Sequence, residues 1–213
     1  MKTPTFDIEH QYWSQGISAI AGLDEAGMGA LAGPVVAGAV IFSPTALEKI
    51  IANQKQFPIR DSKLLSEKQR EKSAAFIREI VSFFTIGIAS VSEIDEINIR
   101  NASHLAMRRA INTLQQKPDM LLIDGTSDSI HPTIFSLSII KGDQLSYSIA
   151  AGSILAKVAR DSMMKELHIL HPEYGFDSHK GYGAKKHMDA LEQYGATEHH
   201  RKSYAPIAKL TKS

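Results

Sequence analysis

Apolar positions along this chain follow two different periods. Unbroken or alternating aliphatic and β-branched runs at residues 17–23, 35–42, 83–91, 119–124 and 133–140 predict five strands, bounded by glycine, proline or polar residues. Between them, apolar residues three and four apart predict helices. One opens at Ser66, a predicted N-cap, with Phe76, Ile77, Ile80 and Val81 as its buried stripe. A second starts at Ser92-Glu93-Ile94-Asp95, which has capping-box character with Asp in place of Glu. It runs to about Gln116 with a break near Asn98. A third spans 149–168, with Ile154, Leu155, Val158 and Leu167 at helical spacing, and ends before His171-Pro172. A short fourth covers 184–194 and is closed by Gly195, while residues 44–60 read as loop apart from any element. The first two strands are joined by Gly27-Met28-Gly29-Ala30-Leu31-Ala32-Gly33 and form a hairpin; the others interleave with helices. This order predicts an α/β layer fold with a mixed sheet and a helix-rich C-terminal third packed beside it.

Composition narrows the picture. At 213 residues the chain is long enough for one substantial domain, and 43% apolar residues suit a folded core. It has no cysteine, which excludes disulfides, thiolate catalysis and Cys-based zinc sites. No eighteen-residue apolar stretch is present and the N-terminus lacks the core of a signal peptide, so a cytoplasmic protein with no membrane partner is expected. Net charge is only +1, yet residues 174–213 hold seven Lys/Arg and four His against four Asp/Glu, a locally basic face.

Four acids carry the chemistry. Asp24-Glu25, Asp124 and Asp143 each stand beside glycine where an apolar run ends, in Leu23-Asp24-Glu25-Ala26-Gly27, Leu122-Ile123-Asp124-Gly125 and Ile140-Lys141-Gly142-Asp143. Acids at strand ends support no core but can line a shared cleft. If they converge, repulsion raises at least one pKa unless a cation is bound, and hard divalent ions favour all-oxygen ligands. A carboxylate-only site for Mg²⁺ or Mn²⁺ is therefore expected. The Gly27-x-Gly29-x-x-x-Gly33 turn lacks dinucleotide-fingerprint spacing and is followed by a strand, so bare backbone that lets a ligand approach is the favoured reading. His179-Lys180-Gly181-Tyr182-Gly183 combines cationic, aromatic and bare surface, suited to stacking on a sugar or base or to packing as a polar loop. Lys157 and Arg160, one helical turn apart beside Asp161, suit phosphate contact or an ion pair equally. Adjacent His199 and His200 do not make a zinc site and read as basic surface.

Assembled in order, these segments resemble ribonuclease HII of the type 2 ribonuclease H family. The likeness rests on Ala21-Gly22-Leu23-Asp24-Glu25-Ala26-Gly27, Leu31-Ala32-Gly33-Pro34-Val35-Val36, Asp61-Ser62-Lys63-Leu64-Leu65-Ser66, Ile123-Asp124-Gly125 and Lys141-Gly142-Asp143. Beyond these come Ser153-Ile154-Leu155-Ala156-Lys157-Val158-Ala159-Arg160-Asp161, His179-Lys180-Gly181-Tyr182 and Gly195-Ala196-Thr197-Glu198-His199-His200-Arg201. The resemblance covers roughly residues 18–206. It implies an RNase H-like mixed five-stranded sheet flanked by helices, with a C-terminal helical extension. On that reading, residues 1–16 are an N-terminal segment, 17–170 the catalytic core, and 171–213 a substrate-binding extension packed on it. It further implies hydrolysis of the RNA strand of RNA–DNA hybrids and incision 5′ of ribonucleotides embedded in duplex DNA. Two divalent ions, Mg²⁺ or Mn²⁺, would be held by Asp24, Glu25, Asp124 and Asp143. Tyr182 matches the tyrosine that packs on the sugar at the RNA–DNA junction, and Gly27, Met28 and Gly29 match the tripeptide that reads the 2′-OH. Lys63, Lys157, Arg160 and Lys180 complete the expected substrate contacts, and a monomer is the default state.

Two departures stand out. Met28 replaces the family's usual arginine, which removes a cation near phosphate. Ala150 stands where the family more often has serine, which should remove a hydroxyl close to the acids. Rival readings are a hybrid-binding protein with weak or lost cleavage, a ribonuclease HIII-like enzyme without single-ribonucleotide preference, and, remotely, a nucleotide-binding oxidoreductase.

Overall fold

The computed structural model describes residues 3–126 and 130–210. Its strands are β1 (Ile20–Ala26), β2 (Val35–Ile41), β3 (Phe83–Ala89), β4 (Met120–Asp124) and β5 (Phe135–Ile139), in the order β3-β2-β1-β4-β5 across one sheet. β2 pairs antiparallel with β1 and β3, whereas β4 runs parallel to β1 and β5 parallel to β4. Register then decides where the chemistry falls. Leu23 pairs with Ile123, so Asp24 and Asp124 follow one residue later on neighbouring strands that run the same way. Asp124 pairs with Ile139, and the chain leaving β5 turns through a 3₁₀ segment, Gly142–Gln144, at the same end of the sheet. Asp143 thus lies in that turn beyond the strand.

The helices among the described residues are α1 (Asp7–Trp13), α2 (Ala46–Asn53), α3 (Glu67–Ile80), α4 (Val91–Thr113), α5 (Tyr147–Leu170), α6 (Phe176–His179), α7 (Lys185–Tyr194) and α8 (Ala205–Leu210). One face of the sheet packs Leu23, Val35, Ala37 and Ile123 against Ile94, Ala106 and Met107 of α4. The other face packs Val40 against Ile77 of α3 and Ala150, Ile154 and Leu155 of α5. Each fully buried Leu or Ile there contributes roughly 1.5–3 kcal/mol. α5 crosses β2 at glycine on glycine: a Cβ on Gly38 would lie 2.4 Å from the Gly152 carbonyl oxygen. That close approach brings the next residue, Ser153, to the acidic end of the sheet.

The expected break in α4 is real. Asn98 has φ 66° and ψ 163°, and its Oδ1 accepts from the Asn101 amide at 3.1 Å, so the residue ends one helical stretch and caps the next. The cap at the start of α4 is Ser90 rather than Ser92. Ser90 Oγ accepts from the Glu93 amide at 3.3 Å and Glu93 Oε2 accepts from the Ser90 amide at 2.8 Å, a capping box that uses the usual Glu. α2 lies inside the stretch read as loop, although Ala46, Leu47, Ile50 and Ile51 stand at helical spacing, with Ala46 and Ile50 buried.

The N-terminal segment is part of the fold. Thr5 bridges to Ser146, and buried Phe6 packs on Trp13, Phe42 and Tyr147. Beyond α5, a third apolar cluster joins Tyr174, Phe176, Leu191 and Ile207 to Leu31, Ala32 and Met164, which seats the C-terminal lobe against the glycine turn.

Candidate active site

Asp24, Glu25, Gly27, Met28, Gly29, Lys63, Ser153, Lys157 and Tyr182 all border one cleft of about 510 Å³. A second hollow of about 360 Å³ continues past Glu25 and Met28 to Asp124, Ser103 and Arg100. The acids share one electrostatic environment. Burial, then the charges of Glu25 and Asp124, hold Asp24 well above the usual carboxylate range, against the Ser153 hydroxyl and the Glu25 amide, whose N–H donates to Asp24 Oδ1 at 2.7 Å. Burial and then Asp124 push Glu25 up to about 7, opposed by the Ser103 hydroxyl and Lys63. Burial, Asp61 and Asp124 push Asp143 to about 6. Asp124 Oδ1 accepts from the Gly142 amide at 2.6 Å, which ties the end of β4 to the turn carrying Asp143.

Mutual repulsion of this kind is what a cation relieves. Among the described residues, no three acids are drawn into a closed ligand cage. The set is an open rim instead. That suits Mg²⁺ or Mn²⁺, which keep part of their shell for water and substrate phosphate and take only one or two carboxylates each. The donor chemistry therefore fits the expected metal.

The glycine turn is held from behind. Gly27 has φ 102°, and a Cβ there would lie 2.1 Å from Arg160 Nε. Arg160 is fully buried and donates to the carbonyls of Pro34, Lys180 and Ala32, each at 3.0 Å. Arg201, equally buried, donates to Gly33, Pro34 and Met28 carbonyls, and the Tyr204 hydroxyl donates to the Met28 carbonyl at 2.6 Å. With its carbonyls turned inward, the turn exposes Met28 and Gly29, whose amides have no protein acceptor among the described residues. Tyr182 stands beside them, its ring 3.9 Å from the place a Gly29 Cβ would occupy.

Three expectations change. Arg160 cannot touch phosphate directly, because its guanidinium is enclosed and spent on backbone. Lys180 is almost as enclosed; its ammonium donates to the Asp177 carbonyl and lies 3.7 Å from Glu67. Ala150 faces the apolar cluster with Val40 and Ile154, so a hydroxyl there would not reach the acids; Ser153 supplies the one that does. Lys157 lines the cleft while paired with Asp161 at 2.6 Å, and Lys63 is exposed at its mouth.

Sequence reasoning missed Asp61, Ser103 and Ser153. Asp61 had a signal, since it adjoins Lys63 in a quoted motif; its carboxylate caps the next turn by accepting from the Lys63 amide at 3.0 Å. Ser153 opens another quoted motif but, as a lone hydroxyl on an apolar helix face, shows no role in the sequence, and Ser103 had no signal.

A mixed five-stranded sheet with acids at the ends of its central parallel strands defines an RNase H-like fold and site. Comparisons agree. The family model for Ribonuclease HII matches residues 21–207. A Clostridioides difficile (strain 630) Ribonuclease HII is 47% identical over 201 residues, 92% of this chain and 73% of that one. The ribonuclease H2 structure from Pyrococcus horikoshii OT3 superposes with TM-score 0.72 at 26% identity, covering 91% of this chain and 97% of that one. Bst-RNase HIII in complex with Mn²⁺ shares the fold, with TM-score 0.68 at 19% identity over 92% of this chain and 70% of that one. The chain belongs to the ribonuclease HII family, a family of endoribonucleases. Among the described residues, no helix is long and apolar enough to cross a membrane.

Proposed function

We propose that this protein hydrolyses the RNA strand of RNA–DNA hybrids and incises 5′ of single ribonucleotides in duplex DNA, leaving 3′-hydroxyl and 5′-phosphate ends. The observation that carries this reading is the meeting of acids from β1, β4 and the turn after β5 beside a turn with two free amides and an exposed tyrosine. Asp24, Glu25, Asp124 and Asp143 would hold two Mg²⁺ or Mn²⁺ ions. When bound, such a pair lowers the pKa of the attacking water and stabilises the leaving 3′-oxygen.

The rest is the work of the chain's own groups. The Ser153 and Ser103 hydroxyls favour the charged forms of Asp24 and Glu25, and the Ser153 hydroxyl is itself bonded to that of Ser62 at 3.0 Å. The Met28 and Gly29 amides donate to the ribose 2′-oxygen, the atom that separates RNA from DNA. Tyr182 packs on the adjoining sugar, and Lys63 and Lys157 supply positive charge near phosphate, which positions the duplex without encoding sequence. In this scheme residues 17–170 act as catalytic core and 171–213 as the extension that presents Tyr182. The test is a pair of duplexes, one with a lone ribonucleotide and one a continuous hybrid, each with Mg²⁺ or Mn²⁺. Cleavage of both is expected. No product with either metal would sink the nuclease reading, and cleavage of the hybrid alone would leave a ribonuclease HIII-like specificity.

A further inference from the structure

The C-terminal lobe contains a run of hydrogen-bonded histidines that none of these roles uses. His187 and His200 are fully buried, with their Nε2 atoms 3.1 Å apart. At that distance one ring must donate and the other accept, and the outer nitrogens decide which. The Thr197 amide points at His200 Nδ1 at 3.0 Å and the Thr197 hydroxyl lies 2.9 Å from the same nitrogen. The hydroxyl can give or take a proton, but an amide N–H only donates, so that nitrogen is bare and the ring proton is on Nε2. At the other end His187 Nδ1 lies 2.9 Å from the Tyr182 carbonyl oxygen, which only accepts, so His187 carries its proton on Nδ1. The bonds therefore run one way: Thr197 N–H to His200, His200 Nε2–H to His187, His187 Nδ1–H to Tyr182.

The segment they reach is also held by backbone bonds: the Tyr182 carbonyl accepts from the Ala184 amide at 2.8 Å, the Gly181 carbonyl from the Leu31 amide at 2.8 Å, and the Lys180 carbonyl from Arg160 Nη1 at 3.0 Å. Lys180 and Gly181 are both left-handed, at φ 53° and 81°, so the chain there is neither helix nor strand, and His187 adds a second donor at the Tyr182 carbonyl. His179 helps from the near side. Its Nε2–H donates to the Tyr174 carbonyl at 2.8 Å, its Nδ1 accepts from the Gly181 amide at 3.3 Å, and its ring stacks on His187 at 4.7 Å. Protonating either member of the central pair would set N–H against N–H. Burial opposes that charge as well, pushing His200 down to about 4 and lowering His187.

We propose that His187 and His200 are positioning residues for substrate reading: a neutral pair of opposite tautomers that fixes the Tyr182 carbonyl and so aims its ring into the cleft. The inference rests on the reading of Tyr182 as the sugar-packing residue. If the rings only filled space, any side chain of similar volume would serve.

Two measurements decide. Long-range ¹H–¹⁵N NMR of the intact protein at pH 7 should find His187 protonated on Nδ1 and His200 on Nε2. A shared tautomer, or a cationic ring, overturns the proposal whatever the variants do. In cleavage assays, His187→Phe keeps the bulk and loses the donor. It should lower kcat/KM on the single-ribonucleotide duplex about tenfold more than on a continuous hybrid, the worth of one hydrogen bond. His187→Asn, which keeps a donor near Nδ1, should recover most of that loss, and Tyr182→Ala/His187→Phe should be no worse than Tyr182→Ala alone. Equal losses on both substrates, or additive losses in the double variant, overturn it. A wild-type protein that cleaves neither duplex would count against the proposed function instead, and the tautomers would still stand or fall alone.

Discussion

Replacing Arg160 with methionine separates two meanings of a buried cation next to a nucleic-acid cleft. If its guanidinium touched phosphate, its loss would remove one counterion-releasing contact, and the slope of log K against log salt would shrink by about 0.9. The structure assigns it a different task. Three donors hold three carbonyls of the glycine turn and the Tyr182 loop. After the change, Pro34 keeps Arg201 Nη2 at 3.2 Å, but the Ala32 and Lys180 carbonyls lose their guanidinium donors. Each buried carbonyl left unpaired costs about 1–3 kcal/mol. Part is regained because a cation no longer has to be buried; that burial already pushes the Arg160 pKa down to about 10. A net loss of about 3 kcal/mol would lower Tm by about 6–12 °C for a chain of this length.

The assay pairs thermal unfolding with metal-free duplex binding across a salt series. Lower Tm, weaker binding and an unchanged slope are expected. An unchanged Tm together with a slope reduced by about one would refute the structural reasoning and return Arg160 to the phosphate backbone.

Asp24→Asn should reduce turnover at least a hundredfold, since on the proposed reading it removes a metal-ligand charge, and should raise Tm without metal, because a buried acid held above its ordinary pKa opposes folding at neutral pH; a lower metal-free Tm would contradict the repulsion. Glu25 and Asp143 bind protons more tightly when folded, at about 7 and about 6, so metal-free stability should fall as pH rises from about 4 to 7. Saturating Mg²⁺ should flatten that decline, and identical pH profiles with and without Mg²⁺ in thermal melts would count against a shared cation site. Met28→Arg should tighten duplex binding at low salt and steepen its salt dependence; titration by fluorescence anisotropy showing no change would mean that this side chain stays clear of the duplex.

The sheet and the four acids were legible because both leave a strong one-dimensional trace. Five apolar runs of strand length, three of them leading to an acid close to glycine, placed Asp24 and Asp124 at strand ends before any pairing was known. The break at Asn98 was legible because Asn tolerates left-handed backbone and an internal cap. What stayed hidden depends on three-dimensional contact. Arg160 and Lys180 look like phosphate ligands in a list of residues, and only their enclosure by backbone carbonyls reveals otherwise. Ala150 and Ser153 lie three residues apart on α5, yet one faces the apolar cluster and the other the acids. His200 read as basic surface because adjacency to His199 hides opposite environments: His200 is buried against Tyr174 and His187.

That pattern bears on the methionine in the glycine turn. Arg160 joins Ala32 and Pro34 to Lys180, and the Gly181 carbonyl accepts from the Leu31 amide at 2.8 Å. Turn and tyrosine loop therefore cannot shift separately without breaking buried bonds. Residue 28 contributes to this frame only through its carbonyl, held by Arg201 and Tyr204. Its side chain is exposed and absent from every one of those bonds. Exchange of arginine for methionine at that position consequently alters the charge offered to the duplex and leaves the amides of residues 28 and 29 where they were. The departure from the family pattern should change how tightly the duplex is held, and not which sugar is recognised.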